Sequence, residues 1–104
     1  MEKRQLLAEI KKIVLQQEPQ AEIILYGSYA RGDYKSDSDV DILILLKKDK
    51  ISYSDEKRIS YPLYALEFKT GQIISPLILP KKRWENKFVA TPLYENVQKE
   101  GKPL

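Results

Sequence analysis

The stretch that decides the fold runs from Leu25 to Leu46 and reads LYGSYARGDYKSDSDVDILILL. A glycine–serine pair, Gly27 and Ser28, follows a short apolar segment, and after ten further residues come Asp39 and Asp41. A Gly-Ser turn can hold a phosphate group, because glycine lets the backbone approach closely and serine offers a hydroxyl. Two carboxylates on one face of a strand can hold a divalent cation. The stretch therefore indicates chemistry on a nucleoside triphosphate.

The composition limits the class of protein and the chemistry that its side chains can perform. The 104 residues suit a single domain, residues 1–104, and a net charge of +3 gives no reason to expect direct nucleic-acid binding. The sequence contains no cysteine and no histidine, so thiol nucleophiles, cysteine–zinc sites and the Ser-His-Asp triad are excluded. The longest apolar run, Ile42–Leu46, is too short to cross a membrane, and the first residues lack the apolar core of a signal peptide. We therefore expect a cytoplasmic protein.

Hydrophobic periodicity and turn residues predict an alternation of helices and strands. The predicted elements are a helix over Glu2–Gln17, a strand over Ala21–Tyr26, a short helix from Gly27 and Ser28 to Arg31, a strand over Asp39–Leu46, a helix beginning at Ser52 or Ser54 with a kink or a fresh start at Pro62, a strand over Gln72–Leu79, and two short helices over Lys81–Val89 and Pro92–Glu100. Pro76 inside the third strand favours an edge position or a bulge. The order predicts an α/β fold with a small mixed sheet flanked by helices.

The two aspartates have a physical reason to share a cation. Because side chains alternate along a strand, Asp39 and Asp41 point to one face, while Val40 and Ile42 point to the opposite, apolar face. Two carboxylates this close repel each other unless a cation lies between them. Mg²⁺ prefers oxygen ligands and usually takes one or two carboxylates together with substrate phosphates. The pair is therefore the candidate metal site.

Structural alternatives exist for each motif taken alone. A single Gly-Ser is usually a turn, and a single Asp-x-Asp on a strand usually faces solvent. Together, between a preceding and a following apolar strand, the two motifs favour the functional interpretation. For Arg31 the favoured role is an ion pair with Asp33 or Asp37 that holds the loop, with a phosphate contact as the alternative. For Trp84, Phe88 and Tyr94 packing at the edge of the core is favoured over a partner surface.

The segment GSYARGDYKSDSDVDILI resembles the signature of the nucleotidyltransferase superfamily that includes DNA polymerase beta, and in particular its minimal nucleotidyltransferases. Gly27, Ser28, Asp39 and Asp41 match that signature position by position. The resemblance implies the nucleotidyltransferase fold, one or two Mg²⁺ ions on Asp39 and Asp41, and a nucleotide, ATP by preference, bound at Gly27 and Ser28. It also implies transfer of a nucleotide monophosphate, AMP by preference, to a hydroxyl, with Asp39 and Asp41 as the catalytic pair.

The resemblance further implies a partner. Minimal members form toxin–antitoxin pairs with a helical HEPN-type protein, so a hetero-oligomer is expected, and a homo-oligomer is the other possibility. The sequence departs from the family in one respect, because the third strand carries Ser75 where many members have a third carboxylate. Glu67 is the nearest acid, and a solvated helix position is its favoured role. An antitoxin that acts by contact, or a nucleotide-sensing module, with little or no catalysis therefore remains a competing hypothesis.

Overall fold

The fold is a four-stranded sheet with helices on both faces. It is described by a computed structural model that covers residues 1–104. The elements, in chain order, are α1 (Lys3–Gln17), β1 (Glu22–Tyr26), α2 (Ser28–Arg31), β2 (Val40–Leu46), α3 (Tyr53–Thr70), β3 (Ile74–Pro80), α4 (Lys81–Lys87), α5 (Pro92–Glu100) and β4 (Lys102–Pro103). The prediction of a small mixed sheet flanked by helices is confirmed.

The sheet order is β3-β2-β1-β4, with β2 in the centre. β1 runs antiparallel to β2, and β3 runs parallel to it. The end of β1 therefore meets the beginnings of β2 and β3 at one edge of the sheet, which places Tyr26 opposite Asp41 and Asp41 opposite Ser75. Because β3 is an edge strand, the N–H that Pro76 lacks does not interrupt the hydrogen bonding in the middle of the sheet. The edge position favoured by Pro76 is confirmed.

The two faces of the sheet bury different helices, because β2 contributes apolar side chains to both. On the first face, the even-numbered residues of β2 pack in one cluster with α1 and α3, through Leu6, Ile10 and Val14 of α1 and Ile59, Leu63 and Leu66 of α3. On the second face, Leu43 and Leu45 pack with Trp84 of α4 and Val97 of α5. The β2 strand is thus a central, doubly buried strand, which explains its nearly continuous apolar sequence.

The helix α3 is a single element of 18 residues, although a proline lies in its middle. It begins at an N-cap formed by Ser52, whose hydroxyl accepts the N–H of Asp55 in a reciprocal capping box. The prediction of a fresh start at Pro62 is wrong, because one helix continues through it. Ile59 and Leu63 on either side of the proline are fully buried against the sheet, and this packing offsets the hydrogen bond that Pro62 removes.

The aromatic residues of α4 and α5 belong to the core. Trp84 is 3% exposed, stacks on Phe88 and lies tilted against Tyr94, and Phe88 and Tyr94 are partly buried, so the favoured prediction of packing is confirmed for this group. Tyr61 and Tyr64 of α3, in contrast, are exposed. No helix has the length and apolar character needed to span a membrane.

Two differences from the predicted elements concern the ends of strands. Asp39 lies one residue before β2 rather than inside it, and β3 begins at Ile74 rather than at Gln72. The two-residue β4, which pairs with Ile24 and Leu25 of β1, is absent from the predicted elements. A segment this short has no periodicity to detect, and only its pairing with β1 defines it.

Candidate functional site

The predicted acids lie at the sheet edge where β1 ends and β2 begins. Val40 and Ile42 are buried in the first face, so the side chain of Asp41 between them points to the second face, as alternation along a strand requires. Asp39 is exposed and Asp41 is partly buried. The structure therefore brings the two carboxylates to one edge of the sheet. Asp41 lies within the central strand β2, and Asp39 lies in the exposed segment just before it.

Gly27 brings the Gly-Ser turn into direct contact with this pair. Its backbone has φ 74° and ψ −158°, a conformation that only glycine adopts readily. A Cβ added at this position would overlap Asp41 Oδ2 and would lie 3.2 Å from Asp41 Cγ. The absence of a side chain at Gly27 is therefore what allows the Asp41 carboxylate to lie there. Ser28 follows immediately as the first residue of α2 and is partly buried at the same edge.

The electrostatic environment of Asp41 disfavours its ionised form. Burial raises the pKa of the Asp41 carboxyl, and the charge of Asp39 raises that pKa further. Arg31 acts in the opposite direction, and Glu100 adds a smaller increase. A carboxylate pair in this state gains from a nearby cation, because the cation removes the repulsion between the two charges.

Ser75, which stands in the sequence where the family resemblance leads one to expect a third carboxylate, lies beside the aspartate pair. Ser75 lies opposite Asp41 in the β2–β3 register, and its hydroxyl donates a hydrogen bond of 3.3 Å to Asp39 Oδ2. Glu67 does not supply a substitute, because its Oε1 accepts the N–H of Ile74 at 2.7 Å and so fixes the start of β3. The prediction of a solvated role for Glu67 is therefore wrong, since its carboxylate is partly buried in this contact. The structure contains no group of three or more acidic, histidine or cysteine side chains that could together hold a metal ion.

Arg31 has the structural role that the sequence favours, with one partner that the sequence does not reveal. Its Nε donates to Asp33 at 3.2 Å, as predicted, and its Nη1 reaches the carboxylate of Glu100 at 3.2 Å. Glu100, the last residue of α5, also accepts the backbone N–H of Gly27 at 3.2 Å. The only sequence signal for Glu100 is its place at a helix end before a glycine, and that signal carries no information about contact with residues some 70 positions away.

Tyr26 is a second residue of the site that no sequence motif singles out. It ends β1 directly opposite Asp41, and its ring packs with the cluster of the second face. Burial, followed by the charge of Asp41, raises the pKa of the Tyr26 phenol, so the phenol stays protonated. A neutral phenol beside the carboxylate pair can donate a hydrogen bond but does not act as a base.

Comparison with protein families decides the class to which this site belongs. A model of the nucleotidyltransferase domain matches residues 7–99, which includes both the Gly-Ser turn and the aspartate pair. The chain belongs to the nucleotidyltransferase domain family. The resemblance seen in the sequence is confirmed, and so is the class of enzyme, a nucleotidyltransferase, at the level of the family.

The chain is similar in sequence to two relatives from Methanocaldococcus jannaschii, both provisionally named protein adenylyltransferases. The first is 45% identical over 60 residues, which are 57% of this chain and 59% of the relative. The second is 35% identical over 82 residues, which are 79% of this chain and 75% of the relative. The match to the first thus spans less than two thirds of its length.

Solved structures show the same fold. A provisionally assigned minimal nucleotidyltransferase superimposes with a TM-score of 0.64 over 100% of this chain and 97% of its own, at 24% identity. A toxin–antitoxin structure with AMP-PNP gives a TM-score of 0.63 over 98% of this chain and 72% of its own, at 18% identity. A nucleotidyltransferase from Sulfolobus solfataricus, also provisionally assigned, gives a TM-score of 0.53 over 78% of this chain and 69% of its own, at 26% identity.

Proposed function

We propose that the chain is a Mg²⁺-dependent nucleotidyltransferase that moves AMP from ATP to a hydroxyl of an acceptor. The observation that carries the proposal is the contact of the Asp41 carboxylate with Gly27, because it puts a candidate cation site and a candidate phosphate site side by side. Membership of the nucleotidyltransferase family supports the reaction type. The preference for ATP rests on the names of the two relatives, and a cytoplasmic location belongs to the same proposal.

The residues at the edge of the sheet fit a divalent cation. Asp39 and Asp41 offer carboxylate oxygens, the ligand type that Mg²⁺ prefers. Burial raises the pKa of Asp41, the charge of Asp39 raises it further, and a cation would relieve the repulsion between the two carboxylates. Proteins usually bind Mg²⁺ through one or two carboxylates, and the phosphates of the substrate supply further ligands. When bound, one or two ions would supply neutralisation of the negative charge that develops on the transferring and leaving phosphates.

The reaction at this site exchanges one phosphorus–oxygen bond for another. The acceptor hydroxyl oxygen forms a bond to the α-phosphorus, the bond from that phosphorus to the bridging oxygen of the β-phosphate breaks, and pyrophosphate leaves. Gly27 allows the triphosphate to approach the backbone, and Ser28 offers its hydroxyl to a phosphate oxygen. The hydroxyl proton passes to solvent, because Ser75 stands where a carboxylate base would act. We therefore expect slow turnover.

The acceptor is proposed to be a protein, with a helical HEPN-type partner of a toxin–antitoxin pair as its source. The relatives' names and the fold shared with a toxin–antitoxin structure support this choice. The second candidate function is an antitoxin that neutralises such a partner by contact alone. Ser75 is the observation in its favour, because without a third carboxylate the site keeps its cation and nucleotide ligands but loses its base.

Thermal unfolding with Mg²⁺ and AMP-PNP tests the proposed site. At a ligand concentration about ten times the Kd, binding is expected to raise the Tm of the native protein by about 5–10 °C. The Asp41→Asn variant is expected to lose this rise. Its Tm without ligand should increase at neutral pH, because an acid whose pKa is raised on folding lowers the stability of the folded state as the pH rises from the unfolded-chain pKa through the folded pKa.

A matched control separates the site from general charge effects. Asp49→Asn makes the same change just beyond the other end of β2, where the side chain is 86% exposed and pairs only with Lys82. This variant should keep the full response to Mg²⁺ and AMP-PNP. If Asp41→Asn responds as strongly as Asp49→Asn, the proposed site is wrong.

A further inference from the structure

The carboxylate of Glu100 holds two hydrogen-bond donors of the candidate site. Its Oε1 accepts the backbone N–H of Gly27 at 3.2 Å, and its two oxygens lie 3.3 and 3.2 Å from Arg31 Nη1. The side chain is 21% exposed, so these contacts are partly shielded from water. Gly101 after it packs closely on Ile24 of β1, which ties the end of α5 to the sheet.

Both donors are of the kind that bind phosphate oxygens. A backbone N–H at a glycine turn and an arginine guanidinium are recurrent phosphate ligands, because each directs a positive dipole or charge at an anion. The bound carboxylate of Glu100 demonstrates that an anion fits against them. It also means that both donors are engaged in the free protein. Arg31 has a second partner, Asp33, besides Glu100.

The charge around Glu100 is already unfavourable for a further anion. Burial and the charge of Asp39 raise the pKa of Asp41, and the charge of Glu100 raises it further. The Glu100 carboxylate therefore lies close enough to repel that of Asp41. A triphosphate bound at Gly27 would add several negative charges beside Glu100. The phosphate and the Glu100 carboxylate cannot both occupy the N–H of Gly27, because this N–H is a single donor.

We propose that Glu100 competes with the phosphates of the nucleotide for the Gly27 N–H and the Arg31 guanidinium. This inference rests on the proposed function, since it describes how the same site admits its nucleotide. In the free protein the carboxylate closes the phosphate position. When the nucleotide binds, both donors pass to phosphate oxygens and Glu100 turns away from them, so part of the binding energy is used to displace it.

The test compares nucleotide affinity with stability in Glu100→Gln. Glutamine keeps the size of the side chain and one acceptor oxygen but removes the charge. Calorimetric titration with Mg²⁺ and AMP-PNP is expected to give a Kd about three- to ten-fold lower than for the native protein. The Tm of the free variant should fall, because a charge-assisted hydrogen bond is weakened. A purely structural role predicts the opposite change in affinity, because a loosened Gly27 turn binds phosphate more weakly.

Two further variants complete the experiment. Glu100→Ala, which removes the acceptor as well, should lower the Kd at least as far as Glu100→Gln, and inorganic tripolyphosphate should show the same gain as AMP-PNP, because the contacts involved are with phosphate. Glu95→Gln is the matched control, because Glu95 lies on the same helix and pairs only with Lys99 in an exposed contact. Its Kd and its Tm should equal those of the native protein.

The outcomes separate this inference from the proposed function. An unchanged or higher Kd in both Glu100 variants, with measurable binding by the native protein, overturns the competition and leaves the proposed function standing. No binding by the native protein or by any variant overturns the proposed function, and the competition falls with it. Binding by the Glu100 variants alone would support both, because it would show a site that Glu100 keeps closed.

Discussion

Replacement of Gly27 by alanine should damage the candidate site more than the fold. Alanine at φ 74° and ψ −158° costs about 1–3 kcal/mol of backbone strain. The added Cβ also overlaps Asp41 Oδ2, but this overlap is relieved when the carboxylate rotates away. We therefore expect a loss of about 2–3 kcal/mol, which lowers the Tm by about 10–20 °C for a domain of this size. The rotated carboxylate would then no longer point to the cation that we propose it shares with Asp39.

The assay is thermal unfolding with and without Mg²⁺ and AMP-PNP, and Gly71 provides the control. Gly71 also has a positive φ, 76°, but a Cβ there would have no atom within 4 Å, and the residue caps α3 away from the site. Gly71→Ala should cost about 1–2 kcal/mol and keep the full ligand response. The reasoning is refuted if Gly27→Ala remains folded and still responds to Mg²⁺ and AMP-PNP as Gly71→Ala does.

Two further substitutions test the third acid and the capping network. Ser75→Asp places a carboxylate opposite Asp41, so the Tm without metal should fall by about 2–8 °C because like charges repel. The rise in Tm on adding Mg²⁺ should exceed that of the native protein. A smaller rise would contradict the role given to Ser75. Asp55→Asn should lower the Tm at neutral pH, because hydrogen bonds from the Ser52 backbone and from Lys48 hold the pKa of Asp55 well below its usual range. This stabilisation is complete above the unfolded-chain pKa of about 3.9 and is lost as the pH falls through the folded pKa, so the Tm difference should shrink in acid.

The sequence was sufficient to predict the parts of this molecule that depend on local order. The Gly-Ser turn, the aspartate spacing and the apolar strand after it are contiguous, so their pattern indicates both the fold and the family. Ser75 in place of an acid was also visible, because the resemblance to the family indicates where on the third strand an acid is expected.

The remainder depends on tertiary contacts that no local pattern records. Glu100 reaches Gly27 across 73 positions of sequence, and its role follows only from the packing of α5 on the sheet. The continuity of α3 through Pro62 depends on buried neighbours such as Ile59 and Leu63, whose packing outweighs the local preference of proline. In each case tertiary packing overrides a local signal or acts where none exists.

Transfer of label from ATP tests the central claim most directly. The protein is incubated with Mg²⁺ and any protein encoded beside it, in parallel with ATP labelled at the α-phosphate and ATP labelled at the γ-phosphate. The account predicts that only the α-label becomes attached to protein, that Asp41→Asn abolishes this transfer, and that Asp49→Asn preserves it. Transfer of the γ-label, transfer that survives Asp41→Asn, or a tight complex that acquires no label would contradict it.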